Sequence, residues 1–160
     1  TISKPSIVAH MVELAARPVP LNERRSARVL EIGSGCGYQA AVLAQVFGEV
    51  VSVERLRPLH QLAKSNLRQV YSKSIRLVFG DGNLGLVNSP PFHAIVVAAA
   101  IDREIPEILL HLIRAGGRLI APVIHDGRQR LCLVERLTFT DWHLTELDAV
   151  RFVPMVGGTR

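Results

Sequence analysis

The residues with the clearest chemical meaning in this sequence are three glycines that alternate with other residues. Gly33, Gly35 and Gly37 follow an apolar run, and Glu31 precedes the first of them by two positions, which gives the pattern E-x-G-x-G-x-G. Glycines allow a tight turn and a close approach of the backbone to a ligand at the carboxyl end of a parallel strand. The dinucleotide-binding pattern G-x-G-x-x-G requires a third glycine where this sequence has Tyr38. An acid beside such a turn suits a ligand with positive charge or hydroxyl groups better than a phosphate.

Two further acids follow the strands that the sequence predicts after this turn. Glu54 ends the second predicted strand, where a carboxylate suits the paired hydroxyls of a ribose. Asp81 follows the third, where a carboxylate can accept a hydrogen bond from an adenine amino group. The carboxyl ends of parallel strands meet at one edge of a sheet. S-adenosylmethionine has an ammonium, a sulfonium and a ribose but no phosphate. The pattern therefore favours a methyltransferase over a nicotinamide-dependent enzyme, and a strand, turn and helix without a ligand is the structural alternative.

Hydrophobic periodicity predicts the elements that position these residues. In chain order the prediction is a helix over 5–16, a strand over 28–33, a helix over 38–47, a strand over 50–54, a helix over 58–70, strands over 75–79 and 94–99, a helix from 106 to the glycine pair 116–117, and a strand over 118–123. From residue 130 on, apolar residues predict two late strands, the second ending with 150–153. The sequence therefore predicts one α/β domain over residues 1–160, with a doubly wound, mostly parallel, Rossmann-like sheet and a C-terminal antiparallel pair.

Composition narrows the classes of partner. The chain has 160 residues, of which 48% are hydrophobic and 21% charged, as is usual for one globular domain. No apolar run in the sequence is long enough to span a bilayer. The net charge of +5 is spread along the chain and only 5% of the residues are aromatic, which argues against a nucleic-acid partner. Cys36, Cys132 and the six histidines show no metal-ligand spacing, so we expect no metal, reduced thiols and a cytoplasmic protein.

The sequence resembles the protein-L-isoaspartate O-methyltransferase family, and the match is closest to bacterial members. The glycine motif continues in the family's pattern as far as Ala44, and the segments Gly80–Gly82 and Gly116–Val123 also match. Two segments are more specific than these, namely Thr1–Ser3 and Val150–Pro154, and they bracket the sequence in the family's order. Together the matching stretches run through most of the chain.

The resemblance implies methylation, with S-adenosyl-L-methionine as donor, of the free carboxylate of L-isoaspartyl residues in damaged proteins, which initiates repair to L-aspartyl. We expect a monomer that acts on isoaspartyl-containing proteins and peptides, without nucleic-acid or membrane partners. Ser3 matches the family's active-site hydroxyl and would orient the substrate, since no histidine or aspartate is placed to activate it as a nucleophile. The implied substrate contacts are Thr1, Ile2, Val150, Arg151, Phe152 and Val153, and the implied cofactor contacts are Glu31, Gly33, Ser34, Gly35, Gly37, Glu54, Arg55, Asp81 and Gly82.

Several positions depart from the family's pattern. The sequence starts at the Thr1–Ser3 motif, whereas the resemblance implies a helical segment ahead of it that covers the cofactor; without that segment we expect poorer exclusion of water. His93 stands where the family usually has an acid, Ala98 where bacterial relatives usually have threonine, and Ser6 where an aromatic residue or histidine is usual. These departures leave two alternatives open: a methyltransferase of the same fold acting on another carboxylate or small molecule, and a non-catalytic cofactor-binding remnant.

Overall fold

One mixed sheet forms the centre of the computed structural model, which describes residues 2–70, 74–84, 86 and 88–160. Its strands are β1 Arg28–Ile32, β2 Glu49–Glu54, β3 Ile75–Phe79, β4 Phe92–Val97, β5 Ile101–Asp102, β6 Ile113–His125, β7 Arg128–Arg136 and β8 Trp142–Ala149. Four α-helices, α1 Pro5–Ala16, α2 Tyr38–Val46, α3 Arg57–Gln69 and α4 Glu107–His111, and a 3-10 turn, Gly82–Leu84, complete the described part of the chain.

The strand order places β1 in the middle of the parallel region. The order is β3-β2-β1-β4-β6-β7-β8, with β5 paired to β6 outside this path. The pairs from β3 to β6 are parallel, whereas β6–β7 and β7–β8 are antiparallel. The predicted fold class, a mostly parallel α/β sheet with an antiparallel C-terminal part, is therefore confirmed.

Two apolar layers cover the two faces of the sheet. Side chains alternate between the faces along β1: Val29 packs with α1 and α2, whereas Leu30 packs with α4 on the other face. From Ala94 on, β4 is apolar on both faces because both are covered, as is usual for a central parallel strand. Helix α3 contributes Leu67 to the layer that contains α1 and α2.

Helix α4 is much shorter than the sequence predicts. It ends at His111, and β6 begins at Ile113, which the periodicity assigns to the helix. Ile113 pairs with Phe92, and the register then shifts so that Arg118 pairs with Ala94. Gly117 fits into this irregularity, since an added Cβ there would lie 2.8 Å from the main-chain oxygen of His93. Pairing with a distant strand therefore overrides the local helical period.

The segment 150–153 is not the end of a strand, which corrects the second of the two late-strand predictions. β8 ends at Ala149, and the chain then turns back toward the carboxyl ends of the parallel strands. Gln129 holds this segment at both main-chain groups of Phe152: its Oε1 accepts from the Phe152 N–H at 2.6 Å, and its Nε2 donates to the carbonyl at 3.0 Å. Further on, Ala100 and Pro154 form an isolated parallel bridge.

Candidate active site

A cavity of about 690 Å³ opens at the carboxyl ends of β1, β2 and β4. Parallel sheets bind ligands at this edge, beside the central strand where the order of connection reverses. Segments from both ends of the chain and from the loops after these strands form its walls. The lining residues are Ile2, Ser3, Val8, Ile32, Gly33, Ser34, Gly35, Cys36, Tyr38, Gln39, Glu54, Arg55, Leu56, Leu59, Ala98, Ala99, Arg151, Phe152, Val153, Pro154, Met155 and Val156.

The glycine turn forms the part of the wall that follows β1. Gly33 has a φ of 95° and Gly37 a φ of 88°, backbone conformations that residues with a side chain rarely adopt. A Cβ on Gly33 would lie 3.4 Å from the Ala98 Cβ, and one on Gly37 would lie 3.0 Å from Leu67 of α3. The sequence predicts both glycines as cofactor contacts, but of the two Gly33 lines the cavity, whereas Gly37 precedes α2 and packs against α3.

Glu54 projects from the end of β2 into the same wall and is fixed by the backbone. Its Oε2 accepts a hydrogen bond from the Gly35 N–H at 2.9 Å, and its Oε1 accepts one from the Leu56 N–H at 2.9 Å. The residue is 5% exposed and lines the cavity. Each carboxylate oxygen can accept a second hydrogen bond, so the group suits a ligand with adjacent hydroxyls.

Glu31 lies beneath the turn, on β1, and is fully buried. The Ser52 hydroxyl donates to its Oε2, and the hydroxyl oxygens of Ser52 and Ser34 are 2.5 Å apart. Burial raises the pKa of Glu31 to about 8; the hydrogen bond from Ser52 opposes this rise, and the charge of Glu54 adds to it. Glu31 does not itself line the cavity, but this chain of hydrogen bonds connects it to Ser34, which does.

Asp81 is held by main-chain and amide donors just outside the cavity lining. It accepts from the Asn83 N–H at 2.9 Å, from the Asn83 amide at 3.1 Å and from the Gly158 N–H. Partial burial raises its pKa, but these hydrogen bonds and the charge of Arg55 outweigh burial and leave the pKa below its usual value. Arg55 donates to the Gly158 carbonyl at 2.7 Å. The segment around Gly158 therefore ties the ends of β2 and β3 together.

Gly82 acts by its small size rather than by lining the cavity. A Cβ at this position would lie 2.2 Å from the Ile32 Cγ2, and Ile32 does line the cavity. Gly80, two residues earlier, is far less crowded, since its nearest neighbours would be 3.8 Å away.

The predicted substrate contacts are divided between the two ends of the chain. Among them, Ile2, Ser3, Arg151, Phe152 and Val153 line the cavity. Val150 packs against the apolar layer of α1 and α2 instead, and Thr1 lies outside the described residues. The main-chain groups of Ala100 fix the end of the segment, since its N–H donates to the Val153 carbonyl and its carbonyl accepts from the Met155 N–H, both at 2.7 Å.

Gln39 is a cavity residue that the sequence reasoning missed. It is 6% exposed, and neither its amide nitrogen nor its amide oxygen has a hydrogen-bond partner within the described part of the chain. Its signal in the sequence is a polar residue in the first turn of a mostly apolar helix, directly after the glycine turn. Met155 and Val156 were also missed, although they directly continue the matched segment that ends at Pro154.

Over residues 2–70, 74–84, 86 and 88–160, no three His, Cys, Asp or Glu side chains are grouped so that they could bind a metal ion. Within the same residues, no helix combines the length and the apolar character needed to cross a membrane.

The comparisons with known proteins agree on one family. The family model for protein-L-isoaspartate(D-aspartate) O-methyltransferase matches residues 1–160. The chain is 52% identical over 171 aligned positions to a protein-L-isoaspartate O-methyltransferase of Ralstonia nicotianae, and 51% identical over 172 positions to protein-L-isoaspartate O-methyltransferase 2 of Cupriavidus necator. These alignments cover 99% of this chain but 53% and 54% of the two relatives. The chain therefore spans about half the length of the curated relatives it matches.

Solved structures show the same likeness. A protein-L-isoaspartate O-methyltransferase structure superposes with a TM-score of 0.85 at 32% identity and covers 98% of this chain and 48% of that chain. A Plasmodium falciparum structure in complex with S-adenosyl-L-homocysteine superposes with a TM-score of 0.84 at 24% identity and covers 98% of this chain and 76% of that chain. The second likeness concerns the fold.

Burial of Glu31 predicts a distinctive pH dependence of stability. Its ordinary pKa is 4.5 and its folded pKa about 8, so between these values the folded chain holds a proton that the unfolded chain releases. The free energy of unfolding should therefore fall as the pH rises across this interval, by up to about 1.4 kcal/mol for each pH unit. Urea denaturation of Glu31→Gln, which lacks this proton, should show a flatter profile than the unsubstituted chain. The exposed Glu13→Gln is the matched control, and an equal flattening in that variant would contradict the assignment.

The contact between Gly82 and Ile32 predicts that an alanine at 82 deforms the cavity. Gly82→Ala should lower the free energy of unfolding by about 1–3 kcal/mol, because the added methyl group overpacks this site. It should also weaken ligand binding, measured by calorimetry, because Ile32 is displaced. Gly80→Ala is the control and should change both quantities much less; equal effects in the two variants would refute a steric role for Gly82.

Proposed function

Since the chain belongs to the protein-L-isoaspartate(D-aspartate) O-methyltransferase family, we propose that it methylates the free carboxylate of L-isoaspartyl residues in proteins and uses S-adenosyl-L-methionine as the methyl donor. The single observation that best supports this is the composition of the cavity wall. One part, around Gly33 and Glu54, has a glycine turn and a fixed carboxylate, and another part is lined by the residues Ser3 and Arg151. The first suits a cofactor with a ribose and an ammonium, and the second suits a substrate carboxylate.

The residues present fit S-adenosyl-L-methionine. Glu54 would hold the ribose hydroxyls, and the turn with Ser34 and Gly35 would hold the amino-acid end of the cofactor, above the Glu31 carboxyl. The Glu31 Oε1 is buried beneath this turn and has no hydrogen-bond partner among the described residues, so a positive group bound at the turn would balance the charge of the carboxylate. Asp81 remains the predicted acceptor for the adenine amino group. It accepts a hydrogen bond from the Gly158 N–H, and an adenine amino group is likewise an N–H donor.

When bound, the cofactor supplies a methyl group on a positively charged sulfur. A substrate carboxylate is already ionised at neutral pH, so this chain has to position it and exclude water rather than remove a proton. Ser3 would orient the carboxylate by a hydrogen bond; within the described residues, no histidine or acid is hydrogen-bonded to it that could make it a nucleophile. Phe152 would form an apolar wall, which Gln129 keeps in place.

The same proposal concerns the setting of the reaction. We infer that residues 1–160 act as one cofactor-binding domain, as a monomer in the cytoplasm, on isoaspartyl-containing proteins and without nucleic-acid or membrane partners. The free thiols of Cys36 and Cys132 are consistent with a reducing compartment. The second candidate, a methyltransferase for another carboxylate, is favoured by Ala98, which gives the cavity wall a methyl group where bacterial relatives usually have a hydroxyl.

The first test is transfer of labelled methyl groups to paired peptides, one with an isoaspartyl and one with an aspartyl residue. We expect base-labile label on the isoaspartyl peptide alone. Ser3→Ala should reduce kcat/KM by roughly ten- to a hundredfold, since the carboxylate is then less well oriented, while binding of S-adenosyl-L-homocysteine is unchanged.

The matched control for this test is His93→Asp. His93 lies at the opposite edge of the sheet, where its Nδ1 accepts from the Arg28 N–H at 3.1 Å, and this variant should keep full activity. Label on a free carboxylic acid but on neither peptide would replace this proposal with the second candidate.

Ala98→Thr tests whether a hydroxyl in the cavity wall improves substrate binding. An additional hydrogen bond should lower the KM for the isoaspartyl peptide by roughly two- to tenfold, with little change in kcat. Ala98→Val adds similar bulk without the hydroxyl and should not lower KM. If both variants impair binding of S-adenosyl-L-homocysteine, crowding against Gly33 is the dominant effect and the expectation is wrong.

A further inference from the structure

A buried chain of three side chains connects the core of the sheet to the cavity. Glu31 and Ser52 are register partners on β1 and β2, and both are 0% exposed. The Ser52 hydroxyl donates to the Glu31 Oε2, and its oxygen lies 2.5 Å from that of Ser34, which lines the cavity. Ser52 therefore contacts both the carboxyl and the cavity wall, although it lines no part of the cavity itself.

The hydrogen bonds that connect Glu31, Ser52 and Ser34 can run in two directions. When Glu31 is ionised, Ser34 donates to Ser52 and Ser52 donates to the carboxylate, so Ser34 turns a lone pair toward the cavity. When Glu31 is neutral, its O–H can donate to Ser52 and Ser52 to Ser34, so Ser34 turns its own O–H toward the cavity. The short distance between the two serine oxygens suits either direction, because either hydroxyl can donate. The protonation of Glu31 thus decides whether the cavity wall offers an acceptor or a donor.

Among the described residues, few charged or titratable groups lie near Glu31. Glu54, at the end of β2, is the charged group whose field acts on it. On β4 the register partner of Glu31 is Val96. The helices on this face of the sheet are α1, α2 and α3, and their titratable and charged residues are all at least partly exposed: His10, Glu13, Tyr38, Arg57, His60, Lys64 and Arg68.

We propose that Ser52 is a positioning residue that couples the protonation of Glu31 to cofactor binding. An ammonium group that donates a hydrogen bond to Ser34 favours the ionised form of Glu31, so one proton is released to solvent when the cofactor binds. The inference rests on the proposed function, in which the ligand is S-adenosyl-L-methionine or its product, and both carry an ammonium. The bond that breaks is the O–H bond of the Glu31 carboxyl: its proton passes to solvent, its electron pair stays on the carboxylate, and the ligand's positive charge then balances the buried negative charge.

The electrostatics of the site support a proton available for release. Because burial raises the pKa of Glu31 to about 8, the carboxyl is mostly neutral at pH values below this when the cavity holds no cation. A cation brought close to the site favours the ionised form and lowers that pKa. Proton release should therefore be largest between the lowered pKa of the liganded protein and the pKa of the unliganded protein, and should fade outside this interval.

Titration calorimetry with S-adenosyl-L-homocysteine tests the coupling, in two buffers of different ionisation enthalpy at about pH 7. The dependence of the binding heat on the buffer gives the number of protons released, and we expect close to one for each bound molecule. Ser52→Thr keeps the hydroxyl and should keep this release. Ser52→Ala interrupts the chain and Glu31→Gln removes the proton, so both should release none. Proton uptake by the unsubstituted chain, or undiminished release by Ser52→Ala, would overturn the proposal.

Infrared difference spectroscopy gives a second readout. It uses the unsubstituted protein, so it does not require that any variant folds. Ligand addition should remove the stretching band of a protonated carboxyl group, and persistence of that band would contradict the coupling. The two proposals fail in different ways. Absence of any binding heat would reject both the cofactor and the coupling, whereas binding heat without proton release would reject the coupling alone.

Discussion

The parallel pairing of β1 with β2 on one side and β4 on the other is the constraint on which the cavity depends. Because the connections leave β1 and β4 in different directions, the loops after these strands diverge and leave space between them. The glycine turn, Glu54 and Ala98 are brought to this space by the strands that they follow. Their side chains would have no common site if β1 were an edge strand. The strand also holds Glu31 in the core, two residues before Gly33 at the ligand edge.

The two glutamates near the turn differ in their surroundings rather than in their chemistry. Glu54 is held by the N–H groups of Gly35 and Leu56 at the cavity wall. Glu31 has one hydroxyl donor, and its other oxygen has no partner among the described residues. A buried carboxyl that lacks a full set of donors is unfavourable for the fold alone. Such a group is understandable if ligand binding gains from it, and the hydrogen bonds through Ser52 and Ser34 connect the carboxyl to the cavity.

The elements whose periods are local were predictable from the sequence. α1 and β3 have the predicted bounds, and β2 ends at Glu54 as predicted. Asp81 follows the end of β3, also as predicted. The start of β6 was not predictable, because Ile113 fits a helical period and only its pairing with Phe92 assigns it to the sheet. The prediction of a strand over 150–153 is wrong because the conformation of this segment depends on Gln129, which is distant in sequence. The packing role of Gly82 depends on Ile32, a contact between loops that no spacing reveals.

The cavity is bounded both by Ser3 and by Phe152, which lie at opposite ends of the described chain. All eight described strands precede Phe152 in sequence, so a chain that stopped before the segment 150–156 would still contain every strand of the sheet. Such a chain would keep the backbone pairing of the core but would lack one wall of the cavity. Loss of this short segment would therefore separate folding from binding: the chain would be folded in large part yet unable to retain a ligand.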